Sequence, residues 1–151
     1  MKKFVFIIVL VCLSTSLYGQ RMNKERVKLL KTSFITDALE LSPSEAEKFW
    51  PIYNLYSEKV LTAKNKIERQ IIGKFLQTNK NFDISEQESS VLVSKIAELE
   101  SEVVNNQQLM YSELSGIISS KKIFKLIVAE REFNRRILQE FGKRARMNRK
   151  N

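Results

Sequence analysis

From about residue 23 onward, apolar residues recur every three or four positions, the spacing that lines one face of a helix. Alternation of the β type is absent over any useful length. Val27, Leu30, Phe34, Ala38 and Leu41 predict a first helix from Asn23, its cap, to Glu40. Phe49, Tyr53, Tyr56, Val60, Ala63, Ile67 and Ile71 predict a second, from Pro43 to about Gln77. That seam is long, about 30 Å at 1.5 Å per residue. Leu92, Ile96, Leu99, Val103 and Met110 predict a third helix, with Asn106 interrupting the seam as a buried polar residue or a register device. A fourth runs from about Ser120 to Phe141. Residues 78–83 lack the pattern and read as a connection, and Gly116 with Ser119 and Ser120 marks a break. The expectation is an all-α fold of four helices, two of them long.

Two helix starts are written locally. Ser42 can cap, Pro43 fits the first turn, and Glu45 stands three residues after the cap, which is a capping box. Ser85 and Glu88 repeat the arrangement. Pro51 lies inside the second helix, where it removes a backbone hydrogen bond, so a kink is expected near residues 47–51.

The N-terminus changes the compartment. Lys2 and Lys3 precede an apolar run from Phe4 to Leu13, followed by small and polar residues to Gly19. This is the pattern of a secretory signal peptide, with cleavage expected after Gly19 and Ser16 as the second option. The run is too short for a membrane anchor. Cys12 sits within it, preceded by Val11 where a lipoprotein would carry a small residue. Processing would leave 132 of the 151 residues, without cysteine and therefore without an internal disulfide. It would also take the net charge from +9 to +7. The charge is uneven: residues 121–151 hold eleven Lys or Arg against three acids, and the remainder is near neutral. A basic chain suggests nucleic acid, but export argues against it and leaves acidic clients or an anionic membrane surface. The expected organisation is a signal peptide at 1–19, a helical domain at 20–141 and a basic, disordered tail at 142–151. Arg144, Arg146, Arg149 and Lys150 of that tail are candidates for contact with a membrane surface or a partner.

Leu41-Ser42-Pro43-Ser44-Glu45, running into Phe49-Trp50-Pro51-Ile52-Tyr53-Asn54, resembles the LTxxQ signature of the Spy/CpxP family of small periplasmic proteins. It looks closest to the branch that carries an FWPIYN sequence, described as sensors linked to extracytoplasmic-function sigma factors. A weak internal repeat accompanies it, with Leu41 to Phe49 aligning on Ile118-Ser119-Ser120-Lys121-Lys122-Ile123-Phe124-Lys125-Leu126. The family carries two such signatures in similar places. Here Glu45 and Lys122 stand at the usual Gln positions, and Ile118 replaces the second Leu. The resemblance covers roughly residues 24–141. It implies a thin, bent helical hairpin that dimerises antiparallel into a cradle. It also implies either of two roles, an ATP-independent chaperone for unfolding envelope proteins or a stress sensor that binds a sensor kinase or anti-sigma partner.

The chain has no histidine, and its only cysteine lies in the signal segment. That removes the commonest general base, the commonest transition-metal ligand and the thiol nucleophile. No Gly-rich phosphate loop is present. No catalysis, metal or cofactor is expected. Glu98, Glu100 and Glu102, spaced by two, read as a solvated face. Second stripes offer more. The first helix presents Lys28, Lys31, Ile35 and Leu39 beside its core stripe. The fourth presents Phe124, Val128, Arg131, Arg135 and Leu138, and the second holds Trp50, Leu61 and Ile72 outside its seam. Such mixed apolar and cationic faces serve as a dimer interface, as ordinary core or as a binding surface for clients. The candidate binding residues are therefore Lys28, Lys31, Ile35, Leu39, Trp50, Phe124, Val128, Arg131 and Arg135.

Overall fold

A computed structural model describes residues 25–79 and 81–148, with side chains as far as residue 143. Four helices account for nearly all of these residues, and no strand occurs among them. The first, α1, covers residues 25–39. Next comes α2 (Pro43–Asn65), which passes through a π-helical segment (Lys66–Gly73) into α3 (Lys74–Thr78). Then follow α4 (Glu86–Leu114) and α5 (Ser120–Asn148). The signal segment and the Asn23 cap lie outside the described residues. Among those described, no helix is long and apolar enough to cross a membrane.

Both predicted capping boxes are present. The Glu45 N–H donates to Ser42 Oγ at 3.2 Å, and the Ser42 N–H donates to Glu45 Oε2 at 2.8 Å. Ser85 and Glu88 make the same reciprocal pair, at 3.2 and 3.4 Å. Each box satisfies two of the N–H groups that a helix start leaves without a partner. At the other end of α1, Glu40 takes a left-handed φ of 51° as the chain turns out of the helix.

The described residues divide into two units, one made of residues 25–40 and 124–148, the other of the segment between them. In the second unit α2 and α4 form an antiparallel hairpin. Tyr56 Oη donates to Glu113 near one end. Ala63 and Ile67 cluster with Leu99 further along, flanked by Ile71, Ile96 and Val103. Asn106 is buried within the α4 seam, where its Nδ2 donates to the Glu102 carbonyl at 2.8 Å. The amide is thus satisfied locally and interrupts the seam without leaving an unpaired group.

In the first unit the buried residues include Ile35, Leu39, Leu126, Ala129 and Phe133. The Phe34 and Phe133 rings lie 5.8 Å apart. Lys125 donates to Glu40 at 2.6 Å, and Lys31 lies 3.5 Å from Glu130.

Three expectations change. The second helix is not α-helical throughout: α geometry runs across Pro51 as far as Asn65. Pro51 and Glu47, whose carbonyl loses its partner, are both exposed, so water can take the bond. Departure from α geometry comes later, at Lys66–Gly73. Second, α5 continues past Gly142 to Asn148, so the segment expected to be a tail is helical over 142–148, and three of the four helices are long. Lys and Arg are good helix formers, and a lone Gly costs only about 1 kcal/mol. Third, the core of α1 draws on both of its stripes. Ile35 and Leu39 are 0 % exposed, whereas Leu30 is exposed. Phe34 with Ile35 and Ala38 with Leu39 are sequence neighbours about 100° apart on the wheel, so the two stripes form one broad apolar face.

Candidate binding surface

Two constellations emerge, one in each unit. The first is built from the repeated motif. Ser119 stands before α5 as Ser42 stands before α2. The Lys122 N–H lies 3.4 Å from Ser119 Oγ and donates to the Ser119 carbonyl at 2.9 Å. A lysine at this third position cannot accept the reciprocal bond from the Ser119 backbone. Its ammonium instead donates to Glu45 Oε2 at 2.7 Å. The two charged residues, each third after its serine, are therefore each other's partner. The Lys122 ammonium, and after it the Ser42 backbone N–H, holds the Glu45 carboxyl below the usual carboxylate range. Behind the motifs, Phe49 and Ile118 are buried and Leu41 is half-buried.

Trp50 is half-buried. Its ring meets Phe49 edge-on at 5.0 Å and Tyr53 edge-on at 5.4 Å, while Phe49 and Tyr53 stack. These contacts make it part of an aromatic cluster on α2 that also keeps some exposed face.

The second constellation is the outer face of α5. Phe124 and Leu138 are 67 % and 72 % exposed, and Val128 is also exposed. Arg131 and Arg135 lie between them, both exposed. Phe124, Val128, Arg131, Arg135 and Leu138 step by four and three residues, so they form one continuous line along the helix. Arg135 and Arg136 both pair with Glu132, at 2.6 and 2.8 Å, which leaves the face net cationic. A shallow groove lies between Arg135, Leu138, Gln139, Gly142 and Lys143. Phe141, also exposed, extends the apolar surface and was not singled out by the sequence pattern.

The predicted binding residues of α1 divide. Lys28 is exposed. Lys31 is half-buried against Glu130, and Ile35 with Leu39 belongs to the core, where neither can touch a ligand. The structure thus keeps the α5 stripe together as an open surface and withdraws the apolar part of the α1 stripe. Among the described residues, no cluster of His, Cys, Asp or Glu could hold a metal ion.

Compared with protein-family models, curated proteins and solved structures, the chain has no significant match to any of them.

Proposed function

We propose that the processed protein is a periplasmic, ATP-independent chaperone of the Spy/CpxP kind, which holds unfolding envelope proteins on the outer face of α5. The observation that carries this reading is the exposed line Phe124–Val128–Arg131–Arg135–Leu138. Exposed apolar side chains flanked by charge are what a binding surface needs. Partly unfolded chains expose apolar groups and carboxylates without a fixed shape. On this surface the guanidinium groups speed encounter with acidic clients, and Phe124, Val128 and Leu138 slow release by burying apolar area.

The test is light scattering of several unrelated clients under heat or reduction, with the mature protein added and no nucleotide. Aggregation should fall. Salt should weaken capture without abolishing it, because screening acts on the exposed charges and leaves apolar burial intact. Arg131→Glu with Arg135→Glu should slow capture, and Phe124→Ala should speed release. Unchanged aggregation for every client at low salt would overturn the reading. A single stoichiometric membrane partner, recovered from envelope extract, would then place the protein among stress sensors.

A further inference from the structure

The outer face of α4 carries a stripe with the same spacing as that of α5 and the opposite charge. Val91, Lys95, Glu98, Glu102, Asn105 and Leu109 are all exposed and step by 4, 3, 4, 3 and 4 residues. On α5, Phe124, Val128, Arg131, Arg135, Leu138 and Gly142 are all exposed and step by the same 4, 3, 4, 3 and 4. On α5 the two middle charges stand between Val128 and Leu138; on α4 they stand between Lys95 and Asn105, with Val91 and Leu109 at the ends. The middle charges are acidic on α4 and basic on α5. The whole helices follow suit: α4 holds six Glu and one Lys, and α5 holds nine Lys or Arg and three Glu. The inward seam of α4 is a separate line, one residue on, and is engaged within the hairpin.

We propose that the outer stripe of α4 in a second copy of this chain docks on the outer stripe of α5, so that self-association and client capture compete for one face. The pairing uses the face assigned above to clients, but stands whether or not clients bind there. Laid antiparallel, the two stripes set Leu109 on Phe124, Glu102 on Arg131 and Glu98 on Arg135. The parallel sense would also match acid to base, but it would oppose Phe124 with the smaller Val91. Pairing α5 with α5 would set guanidinium against guanidinium, and pairing α4 with α4 would set carboxylate against carboxylate, both repulsive. The stripes therefore favour each other over themselves. The pairs that Glu98 and Arg135 already make, Lys95 to Glu98 at 2.7 Å and Arg135 to Glu132 at 2.6 Å, join residues three apart on the surface. Exposed pairs of that kind hold weakly and exchange easily.

Charge exchange tests this directly. Sedimentation velocity at low salt should show the mature protein self-associating. Glu98→Arg with Glu102→Arg should weaken association about tenfold, and so should Arg131→Glu with Arg135→Glu. An equimolar mixture of the two variants should restore it, because each now offers the other an opposite stripe on both faces. Circular dichroism of each variant establishes that the fold is intact. A monomeric wild type at every concentration would overturn the proposal, as would undiminished association of either variant or a mixture no tighter than its parts. None of these readouts involves a client, so failure of client holding leaves this result interpretable on its own.

Discussion

Glu45 and Lys122, at equivalent positions of two helix starts 77 residues apart, are joined through a single oxygen. Glu45 Oε2 accepts from the Ser42 backbone at 2.8 Å and from the Lys122 ammonium at 2.7 Å. One carboxylate thus completes the capping box of α2 and ties that helix start to the start of α5.

Reversing either charge alone should lower the melting temperature, since it sets like charges together at this junction. Glu45→Lys combined with Lys122→Glu should recover much of the loss. The double change removes the capping box at Ser42 but places a glutamate three residues after Ser119, where a new box can form. Thermal unfolding of the four proteins checks this, and a double variant no more stable than the worse single one would contradict it.

Acid should remove the same contribution. The Glu45 carboxyl is held below its ordinary value by Lys122 and by the Ser42 N–H. A depressed folded-state pKa means the stabilisation is complete above the unfolded-state value, about 4.3. It is lost as the pH falls through the folded-state value. The difference in melting temperature between wild type and Glu45→Gln should therefore be largest near neutrality and close as the pH drops below that range.

Phe49 and Trp50 are sequence neighbours with different burial, and truncation should separate them. Phe49 is 0 % exposed, so Phe49→Ala should cost about 3–5 kcal/mol, read as a shift in the urea midpoint. Trp50 is half-buried, and Trp50→Ala should cost clearly less.

The two glycines within the α2–π–α3 run and α5 should respond oppositely to alanine. A Cβ on Gly73 would stand 2.9 Å from the Glu68 carbonyl oxygen, a backbone atom that cannot swing away. A Cβ on Gly142 would meet nothing within 4 Å. Gly142→Ala should stabilise by about 0.5–1 kcal/mol, the usual gain in a helix. Gly73→Ala should fail to stabilise and should destabilise by about 1 kcal/mol where the carbonyl is forced to shift. Equal gains from both would show that the π segment relaxes freely.

The elements that rest on local rules were legible in the sequence. Ser42 with Glu45 and Ser85 with Glu88 are three residues apart, and a cap depends on little else. The α4 seam was legible because one face of that helix is plainly apolar. What failed was any choice between adjacent faces. In α1, Phe34 and Ile35 are both apolar, and only packing decides which points inward. A spacing of two sets the acidic residues of α4 pointing apart, which holds for Glu98 and Glu100. Glu98 and Glu102 share a face because they are four residues apart. The Glu45–Lys122 contact was invisible as a contact, although both residues stood out as departures from a motif. Pairing across so many residues depends on tertiary packing that periodicity does not encode.

The π segment leaves one trace in the sequence, and that trace has a consequence for insertions and deletions. Ala63, Ile67 and Ile71 are spaced by four and four, and all three belong to the cluster facing α4. In an α-helix each step of four overshoots a full turn by about 40°, so Ile71 would sit roughly 80° out of line with Ala63. The wider turn of Lys66–Gly73 absorbs that drift. The helix therefore carries one residue more than its contact face requires. Removing an exposed residue such as Arg69 would convert the spacing to four and three, which ordinary α geometry brings back within about 20°. A single-residue deletion normally rotates everything beyond it and wrecks a helical hairpin. Here it would act as a phase correction, leaving Ile71 against α4 and turning the segment into plain α-helix.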